Sequence, residues 1–156
     1  MALKMGQMRL RSRAFEAHGK IPDQQSAYGD NIAPEFTWQN APANTKSFAL
    51  ICHDPDAPMP RGFTHWVLYN IPANTTSLPE GGDGPFTGGV NSTGKPGYSG
   101  PMPPPGHGPH HYYFWLYALD EPLNLKPGLD RDQTLAAIES HVIEQSRLVG
   151  VYEKQK

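Results

Sequence analysis

Asp54-Pro55-Asp56-Ala57-Pro58, followed by Thr64-His65-Trp66, joins two apolar runs, Ser47-Phe48-Ala49-Leu50-Ile51-Cys52 and Trp66-Val67-Leu68-Tyr69-Asn70-Ile71. Each run is short, rich in branched and aromatic residues, and bounded by turn formers, which reads as two core strands joined by a stiff loop. Proline fixes its own φ and biases the residue before it towards extended backbone, so Asp54 and Ala57 have little freedom. Two carboxylates and a histidine are thus held at the rim of a sheet, a usual place for a binding site. Asp and Pro are also common turn residues, so a plain turn is the competing reading of the same five residues.

Outward from this loop the pattern stays β-rich. Met8 to Phe15 alternates, with Arg9, Arg11 and Arg13 on a solvated face. A short strand is expected at Glu35–Asn40, and further strands at 47–53, 64–71 and 110–119. Tyr112-Tyr113-Phe114-Trp115-Leu116-Tyr117 is apolar on both faces and predicts a central strand covered on each side. Asp130 to Tyr152 reads as a helix: Leu135, Ile138 and Val142, then Leu148 and Val149 after a slip, recur at helical spacing. Asp130 and Gln133 form a capping-box pair there, and Gly150 is a candidate terminator. Between the strands, residues 81–109 hold ten of the 16 glycines and seven of the 17 prolines, a loop long enough to be functional or to hide short strands, one of them at Phe86–Asn91.

With 156 residues, 1–156 is read as one domain able to bury a core. A net charge of −2 with only 13 Lys and Arg provides no basic face for nucleic acid. The single cysteine, Cys52, cannot form an internal disulfide and reads as a packed, inert thiol. No apolar stretch approaches the ~20 residues of a membrane span, and no signal-peptide core is seen, so a soluble, cytoplasmic protein without integral membrane association is expected. Aromatic richness is compatible with a homodimer.

Three chemistries are weighed against this frame. Gly89-Val90-Asn91-Ser92-Thr93-Gly94-Lys95 matches the start of a phosphate-cradling P-loop, but Pro96 stands where Ser or Thr should ligate magnesium and open a helix, which excludes nucleotide hydrolysis. His107, His110 and His111 are close in sequence. His110 and His111 point to opposite faces of a strand, however, and His107 is expected simply to be exposed, so no metal site and no cofactor is assigned. A hydrolase or lyase using His65 or His110 as general base remains the alternative, although no nucleophile elbow or oxyanion hole accompanies Ser99 or Cys52. A pocket for a small phosphorylated or carboxylate ligand needs less: two imidazoles and a phenol donate to the anion while a carboxylate orients one imidazole. His110 and Tyr112 share a strand face, and His65 and Asp54 sit at neighbouring strand ends, so these four groups can converge.

The same residues resemble the phosphatidylethanolamine-binding proteins, also called Raf-kinase-inhibitor-like proteins, and in particular their compact bacterial branch. One block is Asp54-Pro55-Asp56-Ala57-Pro58 with Thr64 to Pro72. The other is Gly97-Tyr98-Ser99-Gly100-Pro101, then Pro103-Pro104-Pro105-Gly106 and His110-His111-Tyr112. The resemblance implies a mainly β fold: a β-sandwich of two antiparallel sheets with peripheral helices, one near the C-terminus. It also implies a non-enzymatic protein with a small anion or phospholipid-headgroup pocket at one end of the sandwich, acting as a regulator or inhibitor of a kinase or protease partner. By motif position the pocket uses Asp54, His65, His110 and Tyr112, with Gly100, Pro103 and Pro104 as its wall and Pro58 supporting the rim, while Asp56 is structural. Two positions depart from the family. His111 stands where Arg is common, so that arginine's ion pair is not carried over. Met102 interrupts the glycine-proline wall and is expected to narrow the pocket.

Overall fold

A computed structural model describes residues 4–82 and 84–155. Its strands are β1 (Arg9–Arg11), β2 (Phe36–Gln39), β3 (Ser47–Asp54), β4 (Phe63–Pro72), β5 (Ser77–Leu78), β6 (Thr87–Gly88), β7 (His110–Leu119) and β8 (Val142–Tyr152), with one α-helix, α1 (Arg131–Ile138), and a 3₁₀ turn at Asp23–Gln25. They form two antiparallel sheets, β1-β2-β5 and β6-β4-β3-β7-β8. The expected strand at 110–119 is observed with the same limits, and that at 86–91 shrinks to the two residues of β6.

Both faces of the larger sheet are buried, which accounts for the unbroken apolar runs of β3, β4 and β7. On the inner face Phe48, Leu50, Trp66, Phe114 and Leu116 pack against Met8, Leu10, Phe36 and Trp38 of the smaller sheet and its flanks. On the outer face Ala49, Ile51, Val67, Tyr69 and Leu119 lie under Ile138, Leu123, Leu125, Leu129 and Leu135. Cys52 belongs to the inner core, and burial pushes its thiol well above the usual range, as expected of an inert thiol.

The long C-terminal helix is corrected. The capping box forms as expected, with the Asp130 carboxylate accepting from the Gln133 amide, but the helix stops at Ile138 and the chain re-emerges as β8. The apolar spacing that suggested a helix needed a slip after Val142. The change of period falls just before Val142, at residues 139–141, and from Val142 onward Val142, Ile143, Val149 and Val151 supply β-branched residues that fit a pleated sheet. Gly150 ends nothing. It lies inside β8, where a Cβ would come 2.6 Å from Ile21 Cγ1 and 2.8 Å from Phe15 Cε2. Gly150→Ala is therefore expected to destabilise by about 1–2 kcal/mol through overpacking, less than a backbone clash would cost because both neighbours are side chains. Urea unfolding measures this.

As an edge strand, β8 would offer unpaired backbone groups to another chain. Here the N-terminal segment covers it: Gln145 N–H donates to Lys4 O (3.0 Å), His18 N–H to Val149 O (2.6 Å) and Ile21 N–H to Val151 O (2.8 Å).

Candidate anion-binding site

Strand alternation and one irregularity assemble the site. Asp54 ends β3 two residues after inward-facing Cys52, and His110 and Tyr112 precede inward-facing Phe114 on β7, so all three face the inner layer. His65 would alternate away from Trp66 in a regular strand. Between β3 and β4, however, the register steps from Cys52↔Trp66 to His53↔Thr64, leaving His65 unpaired. This β-bulge turns His65 to the same side as Trp66, and its ring meets Tyr112 edge-on at 5.1 Å between centroids. Thr64 is left on the outer face, where its hydroxyl bonds His53 Nδ1 at 3.0 Å.

The centre is a buried carboxylate–imidazole hydrogen bond. Asp54 Oδ2 lies 2.7 Å from His110 Nδ1, with the two side chains 3% and 4% exposed. The other carboxylate oxygen accepts from the Asp56 amide at 2.7 Å, so Asp54 closes its own turn while it orients the imidazole. Burial pushes the Asp54 carboxyl up from its usual value, and the hydrogen bonds from His110 and the Asp56 amide pull it part of the way back. Because a carboxylate only accepts, His110 carries its proton on Nδ1 and turns Nε2 outward. The Tyr112 ring is buried, and among the described residues its hydroxyl has no hydrogen-bond partner; burial, with the Asp54 charge nearby, raises its pKa and keeps it a donor.

One expectation is revised by this geometry. His65 Nδ1 is 2.6 Å from the Ser99 carbonyl, which can only accept, so the ring proton is committed there and a neutral His65 presents Nε2 as an acceptor. Burial lowers its pKa to about 4, against the Ser99 carbonyl, which favours the charged form. Tyr112 is therefore the side-chain donor that the neutral tautomers leave to an anion, and His110 donates from Nε2 only when that nitrogen also carries a proton. His65 also makes a stability prediction. A depressed histidine contributes stability that is present above its unfolded pKa of about 6.5 and lost as pH falls through its folded value of about 4. Over that window wild type should lose up to about 3 kcal/mol that His65→Gln does not, a difference measurable by urea unfolding at a series of pH values.

The wall residues divide. Gly100 and Pro103 are buried, whereas Pro104 and Pro58 are exposed. The wall is fastened to the 23–31 segment: Gly100 N–H donates to Asn31 Oδ1 (2.6 Å), Ala27 N–H to Pro101 O (2.9 Å), Tyr28 O–H to Pro103 O (2.7 Å) and Tyr98 O–H to Gln25 O (2.7 Å). Met102, expected to narrow the pocket, is 60% exposed, between buried Pro101 and Pro103. Asp56 holds the rim instead, accepting from the His111 backbone (2.7 Å) and ring Nδ1 (2.8 Å). Although partial burial opposes it, these bonds keep the Asp56 carboxyl below its usual value. His111 thus hydrogen-bonds a carboxylate at the position where the family resemblance led to an arginine being expected.

Sequence reasoning missed His107. It is exposed as expected, but its Nδ1 stands 2.9 Å from His110 Nε2, the outward nitrogen of the site. The short H-x-x-H spacing was visible, yet nothing in it says that a glycine-flanked turn folds back onto its own strand.

Elsewhere, a cleft of about 350 Å³ opens on the outer face between His53, Arg61, Asn91, Arg131 and Asp132. Its charges are internally matched, since Arg61 and Arg131 both pair with Asp132. The P-loop-like turn that borders it has its amides committed: Asn91 N–H to Lys95 O, Ser92 N–H to Thr64 O, Gly94 N–H to Asn91 O and Thr93 N–H to Asn91 Oδ1. Among the described residues this leaves at most the Lys95 amide, too little to cradle a phosphate. No helix among the described residues is long and apolar enough to cross a membrane.

The family model described as phosphatidylethanolamine-binding protein matches residues 11–153. A UPF0098 protein of Methanothermobacter thermautotrophicus is 44% identical over 154 residues, covering 94% of this chain and 99% of its own length. Among solved structures, a putative phosphatidylethanolamine-binding protein homologue from Chlamydia trachomatis aligns with a TM-score of 0.89 and 37% identity, covering 94% of this chain and 97% of the other. YbcL of E. coli, described as a new member of the mammalian PEBP family, aligns with a TM-score of 0.90 and 30% identity, covering 95% and 99%. A carboxypeptidase Y inhibitor solved with its cognate proteinase shares the fold at 19% identity and a TM-score of 0.59. Sequence match over most of the chain and the two-sheet architecture agree, and the chain belongs to the phosphatidylethanolamine-binding protein family.

Proposed function

We propose that this protein is a binding protein whose pocket takes a small oxyanion, a phosphate, phosphomonoester headgroup or carboxylate, between His110 and Tyr112. The observation that carries the reading is the buried Asp54–His110 bond of 2.7 Å set beside the unpartnered Tyr112 hydroxyl. The carboxylate orients the imidazole towards the ligand, and Tyr112 adds a neutral donor. A ligand of five or six heavy atoms gains roughly 1 kcal/mol per atom at best, so free phosphate should bind at about millimolar strength. Titration of phosphate, acetate and phosphoethanolamine, followed by the imidazole resonances of His110 and His65, tests this. Resonances unmoved by all three would sink the pocket reading.

The Asp54–His110 pair also favours a second reading, since a carboxylate-oriented imidazole is the arrangement of a general base. The thiol that shares the inner face, Cys52, is buried and held protonated, which leaves Ser99 or water as the nucleophile. Turnover in a panel of esters and phosphoesters, abolished by His110→Ala, would replace binding with catalysis. Regulation of a kinase or protease partner extends the binding reading through the family likeness; a recovered partner that phosphate releases would connect the two.

A further inference from the structure

We infer that His107 is a displaceable internal ligand of the pocket, occupying in the free protein the nitrogen of His110 that an anion must use. The inference rests on the pocket reading above and adds a residue and a competition to it. His110 has two ring nitrogens. Nδ1 is committed to Asp54 at 2.7 Å, leaving Nε2, which lies 2.9 Å from His107 Nδ1. Each ring nitrogen has a single in-plane lone pair or N–H and so one well-directed partner. One proton serves the contact whichever ring carries it. An oxyanion and the His107 imidazole therefore exclude one another at Nε2.

His107 is built to leave. Its side chain is exposed, and its flanking residues Gly106 and Gly108 have φ of +73° and +87°, values that L side chains rarely adopt. The turn itself is pinned, with Gly106 N–H donating to Lys154 O (2.8 Å) and His107 N–H to Pro104 O (3.1 Å). The imidazole can thus swing about its own side-chain torsions while the backbone stays in place. Beyond His110, the His107 ring has no hydrogen-bond partner among the described residues. Five rings line the path from Phe63 through His65, Tyr112 and His110 to His107, and the last of them alone is exposed.

Inorganic phosphate and phosphoethanolamine titrated into wild type, His107→Ala and His107→Gln test the competition, with calorimetry for affinity and ¹⁵N imidazole resonances for His110. Releasing one hydrogen bond should make His107→Ala bind both ligands about three- to tenfold more tightly. His107→Gln, which again offers a polar atom, should fall back towards wild type. The Nε2 resonance of His110 should differ between free wild type and free His107→Ala, then coincide when both are saturated with phosphate. Equal or weaker affinity in His107→Ala overturns the inference and leaves the pocket standing. A gain confined to phosphoethanolamine also overturns it, because relief of crowding then replaces competition for Nε2. Absence of binding to any of the three proteins removes the pocket reading and the competition together.

Discussion

His110→Ala should lower the stability of the protein by about 3–5 kcal/mol at neutral pH and abolish phosphate binding. Removing the imidazole leaves the Asp54 carboxylate buried, with only the Asp56 amide to satisfy it. Burial already raises the Asp54 pKa, and the His110 hydrogen bond is the foremost group lowering it, so the variant's carboxyl rises further. A carboxyl whose folded pKa exceeds its unfolded value contributes stability that is present at low pH and lost as pH rises through the folded value. The deficit against wild type should therefore be small near pH 4 and reach its full size by about pH 7.5. Urea unfolding at the two pH values measures the difference. A deficit that does not change with pH would mean that lost packing, rather than the orphaned carboxylate, is responsible.

Gly100→Ala should cost about 3 kcal/mol or more and weaken anion binding, although its position has ordinary φ. The added methyl would stand 2.2 Å from the Gln25 carbonyl oxygen and 3.0 Å from both Ala27 N and Asn31 Oδ1. Two of those three atoms are backbone, so the 23–31 segment must move as a piece. It would take with it the acceptors of Gly100 N–H and Tyr98 O–H, two of the bonds that hold the pocket wall. Gly97→Ala is the control. Its Cβ meets nothing within 4 Å, but φ is +91°, so only local backbone strain of about 1 kcal/mol is expected and binding should survive. Equal effects from the two substitutions would show that the wall is not seated on the 23–31 segment.

Much of this was legible from residue order because the inner and outer cores obey period-2 patterning. The limits of β7 follow from an apolar run bounded by Pro109 and Asp120, and the shared face of His110 and Tyr112 needs only the strand period. The convergence of four polar groups required more, since it depends on which strands are neighbours, and there the family resemblance supplied what patterning could not. Two features resisted both routes. The β-bulge at His65 is a property of the pairing between two strands and has no mark within either. The His107 contact depends on a turn of glycines and prolines whose path is set by the distant Lys154 carbonyl. β8 was misread for a different reason. Leu135, Ile138 and Val142 keep helical spacing across the end of α1, and only the break at Glu139-Ser140-His141 separates helix from strand, with His141 N–H closing a last turn on Ile138 O.

The cover over β8 bears on how the molecule is made. The strand that completes the larger sheet is the last in chain order, and its outer flank is sealed by Lys4 and by residues 18–21, which are among the first. A chain growing from its N-terminus carries these early segments for more than a hundred residues before their partner exists. Loop closure on that scale must precede its own reward, so folding should be slow and should await synthesis of β8. Lys154, which pins the His107 turn, belongs to the same late stretch. The proposed anion site would then be among the last parts of the molecule to take shape, and a chain lacking β8 should show neither the buried His110 resonance nor affinity for phosphate.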